Sequence, residues 1–172
     1  ADSDSISFSL SGTDADSFAI SSSGTLIFNN APDYETKDSY SLIITASDGT
    51  ASVSQTVTIT ISNINEVPQI SALSSNQLPD ENQLSVVTVS ASDPDASTTL
   101  TYSLSGTDSS LFAISSSGVI TFSSAPDYET PGDADGDNNY QINVVVSDGS
   151  LSVTQAITIQ VQNVADLISG VA

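Results

Sequence analysis

Between turn residues the chain alternates apolar and polar positions with a period of two, and β-branched residues fill many of the apolar ones, as in half-buried strands. In the second half Val87, Val89 and Ala91 share one face of a strand, Leu100, Tyr102 and Leu104 one face of a second, and Phe112 and Ile114 one of a third. Ile120 and Phe122 follow, then Tyr140, Ile142, Val144 and Val146, and last Val153, Ile157, Ile159 and Val161. With an opening strand near residues 68–75 the spacing predicts seven strands and needs no helix. Seven short strands in about 100 residues, with a turn every 8 to 12, predict an all-β fold, an antiparallel immunoglobulin-like sandwich.

The same phrases recur in both halves, so the fold is expected twice. LSGTD occurs at residues 10–14 and 104–108, FAISSSG at 18–24 and 112–118, APDYET at 31–36 and 125–130, and SDG at 47–49 and 147–149. Each aromatic has a partner: Phe8 with Tyr102, Phe18 with Phe112, Phe28 with Phe122, Tyr34 with Tyr128, Tyr40 with Tyr140. After the second APDYET, PGDADGDNN replaces the shorter KDS of the first. Residues 1–66 read as one repeat, 67–166 as a complete second, and 167–172 as the start of a following linker or strand. The first copy aligns only from the third strand onward, with Ile6, Phe8 and Leu10 on that strand, so its strands A and B are absent from the sequence. Five strands alone leave unpaired edges and a bare core face. Either the sequence is a piece of a longer chain, or a neighbouring subunit donates strands and the copies build a fibre.

Of 172 residues one is Lys or Arg and 21 are Asp or Glu, a formal charge of −20. That balance repels phosphates and anionic membranes and attracts cations, which sets nucleic acid aside as a partner. His and Cys are both absent, which removes the commonest general base, thiol nucleophiles and the soft-metal ligands. No apolar run reaches the roughly 18 residues of a membrane span, and no signal segment opens the sequence, so no membrane insertion is expected.

With strands labelled A to G, successive loops of such a sandwich alternate between its two poles. Asp33 and Glu35 then fall in the E–F loop of the first copy, Asn65 and Glu66 in the linker, Asp93 and Asp95 in the B–C loop of the second copy, and Asp148 in its F–G loop. All seven are expected at one junction. Clustered carboxylates repel by about 1 kcal/mol or more per pair unless a cation intervenes, and the only basic side chain is Lys37. More than six oxygen ligands from flexible loops suit Ca2+ better than Mg2+.

The order DYE, then a Y-x-I-x-V-x-S-D strand, then N-x-N-E-V-P, E-N and D-P-D resembles the cadherin repeat over nearly the whole chain. The resemblance implies tandem cadherin-like sandwiches with calcium between successive repeats. It carries ligand roles to Asp33, Glu35, Asn63, Asn65, Glu66, Glu81, Asp93, Asp95 and Asp148. Asn63 stands where an Asp is usual and Val67 where an Asn is usual, which implies fewer or weaker ions than the family's three. At the far pole of the second copy Glu81, Asp127, Glu129 and Asp166 repeat the arrangement, with Ala165 in place of the linker Asn. Asp48, with Asp2 or Asp4, is the matching half-site at the opposite end. Asp133, Asp135 and Asp137 resemble the start of an EF-hand loop, but its twelfth position is Val144 instead of Glu, so the loop holds either an ion or only solvent.

The wording SSSG, APDYET and DADGDN is similar to repeats of large bacterial adhesins, which implies a secreted or cell-surface protein, a biofilm context, and partners among its own repeats or copies, surface receptors or polysaccharides. The expected function is a non-enzymatic, calcium-stiffened adhesive or structural repeat. A calcium-dependent carbohydrate-binding module is the alternative, which the absence of Trp disfavours. Paired carboxylates such as Asp33 and Glu35 suit glycoside hydrolysis in principle, but they recur in an edge loop with no His, so no enzyme is expected.

Overall fold

Each alternating segment becomes a strand, and the strands pair within two separate bodies. The computed structural model describes residues 5–165, and the chain divides between Ile64 and Asn65 into two compact units. Among the described residues it is all-β apart from two single 3₁₀ turns, Ala15–Ser17 and Ser109–Leu111.

The first unit contains β1 (Ser7–Ser11), β2 (Phe18–Ile20), β3 (Leu26–Phe28), β4 (Ser39–Ser47) and β5 (Ser52–Thr60). β4 pairs antiparallel with β1 on one side and β5 on the other, while β2 and β3 form a hairpin. Tyr40 sits edge-on to Phe28 and Phe18, with ring centroids 5.1 and 5.7 Å away. Phe18 and Leu42 are buried, whereas Ile6 precedes β1 and is exposed rather than on the third-strand face where the alternation puts it.

The second unit contains β6 (Gln69–Ser71), β7 (Asn76–Gln77), β8 (Ser85–Thr88), β9 (Ser90–Ser92), β10 (Thr101–Ser105), β11 (Phe112–Ile114), β12 (Val119–Phe122), β13 (Asn139–Ser147) and β14 (Ser152–Gln160). One sheet runs β10-β13-β14-β7, with β7 parallel to β14, and a second runs β11-β12-β8. β6 pairs with β9. Strand A is thus split between β6 and β7, and Ala72, at φ 51, supplies a left-handed corner just after β6. Strand B is broken at Val89, whose N–H turns to the Gly118 carbonyl at 2.8 Å. Val89, Phe112, Ile120, Phe122, Tyr140, Ile142, Val144, Val146, Ile157, Ile159 and Val161 form one buried cluster, the core that the alternation predicts.

The first unit shows what β6–β9 contribute. Its counterparts of Tyr140, Val144 and Val146, namely Tyr40, Ile44 and Ala46, are only half-buried, and Val53 is 70% exposed. Among the described residues, nothing in that unit stands in the place of β6–β9.

The duplicated glycine before strand E tests this directly. Gly118 has φ +80, and a Cβ there would lie 2.3 Å from the Val89 carbonyl oxygen. Gly24, at φ +81, would meet only the Phe8 ring, at 3.1 Å. Gly118→Ala is expected to cost about 2–5 kcal/mol, a left-handed penalty plus overpacking, and Gly24→Ala about 1–2. Urea unfolding of the two variants measures the difference; equal losses would mean that backbone conformation alone sets both.

Candidate metal centres

Loops that cross one pole of the second unit bring acidic side chains together because β-strands end there and the turn chemistry of Asp suits them. At the proximal pole the linker supplies Asn65 and Glu66, the B–C loop after β9 supplies Asp93 and Asp95, and the F–G loop after β13 supplies Asp148. The Glu66 N–H donates to Asp95 Oδ2 at 3.0 Å, and the Asp95 N–H to Asp93 Oδ1 at 2.9 Å. Carboxylate oxygens of Glu66 and Asp95 lie within 4.8 Å of each other. Asn65 Nδ2 donates to Asp148 Oδ2 at 2.8 Å, while Ser150 and Leu151 N–H groups hold Oδ1. These bonds, the Asn65 amide first, hold the Asp148 carboxyl below its ordinary range. Asp93 Oδ2 is buried with no hydrogen-bond partner among the described residues. A buried anionic oxygen without a donor is costly, and a hard cation removes that cost. The donor set fits calcium on that ground.

At the distal pole the A–B loop supplies Glu81 and the E–F loop supplies Asp127 and Glu129, with oxygens of all three within 4.8 Å. Glu81 is 3% exposed and locked in place: Oε1 accepts the Val164 N–H at 2.8 Å and Oε2 the Tyr128 N–H at 2.9 Å. Asp127 Oδ1 closes its own turn by accepting N–H groups of Glu129 and Thr130. Glu129 Oε1 accepts Asn163 Nδ2 at 2.7 Å. Asn163 is missing from the sequence reading, although it lies one repeat after Asn63 and was findable from that offset. Asp166, and Asp2 and Asp4 at the other end, lie outside the described residues.

In the first unit Asp33 repeats the turn of Asp127. Its Oδ1 accepts the Glu35 and Thr36 N–H groups and its Oδ2 the Thr36 hydroxyl, which lowers its pKa, the hydroxyl most. Glu35 and Asn63 are exposed. Asp48 Oδ1 caps the β4–β5 turn through the Ala51 and Thr50 N–H groups, which lowers its pKa. The inserted loop gathers Asp133, Asp135 and Asp137 within 4.8 Å as well. Asp135 is pushed above the ordinary range, first by its hydrogen bond to Asp133 and then by the charge of Asp137. Val144, at the loop's twelfth position, is fully buried in β13 and cannot be a ligand.

Residues 75–162 match the model of the Cadherin domain. No curated protein matches the chain. Among solved structures it is similar to mouse cadherin-23 EC22-24, at 27% identity and TM-score 0.65 over 93% of this chain and 53% of that one. Human protocadherin-24 EC1-2 follows at 22% identity and TM-score 0.66, over 93% of this chain and 83% of that one. Drosophila N-cadherin EC1-4 gives 22% identity and TM-score 0.64, over 94% and 42%. The chain thus spans about half the length of the mouse structure.

Proposed function

This chain belongs to the cadherin family, and we propose that it is an extracellular connecting and adhesive repeat whose sandwiches carry calcium at their poles. Cadherin domains in general are extracellular, calcium-binding adhesive repeats, structural in role rather than enzymatic. Among the described residues no helix is long and apolar enough to cross a membrane.

The observation that carries the reading is the meeting of Glu81, Asp127 and Glu129 within 4.8 Å, in a unit whose sequence holds no Lys, Arg or His. No side chain of that unit can neutralise them, whereas an ion taking several carboxylate, carbonyl and water oxygens can. The buried oxygen of Asp93 supports the same chemistry at the proximal pole. Asn65, Glu66, Asp93, Asp95 and Asp148 are the ligand set we assign to the second unit's proximal pole; in the first unit Asp33 and Glu35, the counterparts of Asp127 and Glu129, are assigned with Asn63 to the equivalent pole and Asp48 to the far half-site. Bound calcium supplies positive charge and a rigid link among loops that otherwise repel, so adjoining repeats stiffen.

Glu129→Gln tests the distal site. Glu129 is exposed, and the Gln oxygen can still accept from Asn163, so the calcium-free fold is expected to be unchanged. Calorimetric titration should show calcium affinity at one set of sites weakened about 10-fold or more. An isotherm identical to that of the unsubstituted chain would remove the assignment.

A further inference from the structure

We propose that the inserted loop, residues 131–139, is a calcium seat of its own, additional to the sites at the poles. Asp133, Asp135 and Asp137 occupy the first, third and fifth positions of an EF-hand-like turn, each offering an oxygen within 4.8 Å of the others. The sixth position of such a loop needs a left-handed residue, usually Gly. Here it is Asn138, at φ 64, and Asn is among the few side chains that tolerate this conformation.

Asn138 also provides the independent sign of a ligand. It is 8% exposed, and its Oδ1 is buried with no hydrogen-bond partner among the described residues. Its Nδ2 donates to the Tyr128 carbonyl at 2.9 Å and its N–H to Asp133 Oδ1 at 3.2 Å, so the residue is tied both to the first carboxylate of the loop and to the neighbouring E–F loop. A buried acceptor without a donor is costly, and an ion held by the neighbouring carboxylates, directly or through a bound water, removes that cost.

The sister unit supplies an internal comparison. Asp14 and Asp108 are the same residue of the repeat, and each gives Oδ2 to strand F, accepting the N–H of Ser41 or Gln141 at 2.7 Å. On its other oxygen Asp14 holds Lys37, the sole basic side chain of the chain, whose ammonium also lies 4.8 Å from the Tyr40 ring centre. Buried Asp108 receives only the Ala134 N–H, at 3.0 Å, because the insertion has replaced the lysine with three aspartates. A corner that carries a positive charge in one copy is left entirely negative in the other. A bound divalent ion restores the balance.

The loop is already shaped for it. Asp133 Oδ2 accepts the Asp137 N–H at 2.9 Å, Asp137 Oδ1 the Asn139 N–H at 2.8 Å, and the Tyr140 hydroxyl the Gly132 N–H at 3.1 Å. Asp135 and Asp137 stay exposed, so an ion can enter. Without the bidentate Glu of a complete EF-hand, the affinity belongs at the weak, extracellular end of the range, a Kd of about 10⁻⁴–10⁻³ M.

Calcium titration of the full chain followed by amide NMR tests the seat. The amides of Gly136, Asp137 and Asn138 should shift saturably in that range. Asp135→Asn, which leaves the carboxylates that accept loop N–H groups intact, should weaken this curve about 10-fold while amides around Glu66 and Asp95 titrate as before. Amides of 134–138 that stay still, or an Asp135→Asn curve that is unaltered, overturn the seat. In Glu129→Gln the loop shifts should persist, so failure of the pole assignment and failure of the loop seat give different results.

Discussion

Chelation of calcium is expected to lower the melting temperature of the second unit by about 10–20 °C. One ion held at about 100 times its Kd adds about 2.7 kcal/mol to stability, and each kcal/mol moves a domain of about 100 residues by 4–8 °C. The effect should weaken in acid, for two reasons with the same sign. Ligands must be deprotonated to hold the ion. Asp148, in the same unit, also has a folded-state pKa below its ordinary 3.8. A depressed carboxyl contributes stability that is complete well above the unfolded value and is lost as pH falls through the folded one, so the window lies below about pH 4. Scanning calorimetry at pH 7 and pH 3, with chelator and with calcium, measures both effects. Melting that ignores chelator at pH 7 would end the calcium reading.

Truncating the aromatic core is expected to separate the two units most sharply. Phe122 packs 4.6 Å from Phe112 and 5.4 Å from Tyr140, centroid to centroid, and is buried. Phe122→Ala should cost about 3–5 kcal/mol, since it removes two ring contacts and leaves a cavity that strands on every side keep from collapsing. Phe28 has the same partners at 4.3 and 5.1 Å but is only half-buried, because its sheet face is uncovered. Phe28→Ala should cost about half as much, as water already reaches the site. Denaturant unfolding with probes in each unit gives the two values. Equal costs would show that the first unit's open face is covered in solution.

Much of this was legible in the residues. The period-two alternation places Tyr140, Ile142, Val144 and Val146 on one face of β13, and all four are buried. That works because a strand's side-chain period is fixed by its backbone. Loop alternation likewise puts Glu81 at the same pole as Asp127 and Glu129, where their oxygens meet. Strands A and B were harder: a continuous apolar pattern says nothing of where a strand changes partners, and the breaks at Ala72 and Val89 depend on which sheet offers free backbone groups. Asn163 follows from the repeat, as the counterpart of Asn63, but its bond to Glu129 spans a separation that no local pattern encodes.

The repeat, the strand faces, the acid-rich poles and the scarcity of basic side chains to offset them, with Lys37 the one in the chain, are written in the residue order alone. Each of these follows from residue type and spacing along a chain of fixed periodicity. Which oxygens are buried without a donor, as at Asp93 and Asn138, and how far β6–β9 seal the second core while the first stays half-bare, emerge on folding. Burial and hydrogen-bond satisfaction are properties of surfaces meeting in space, and residues distant along the chain settle them together.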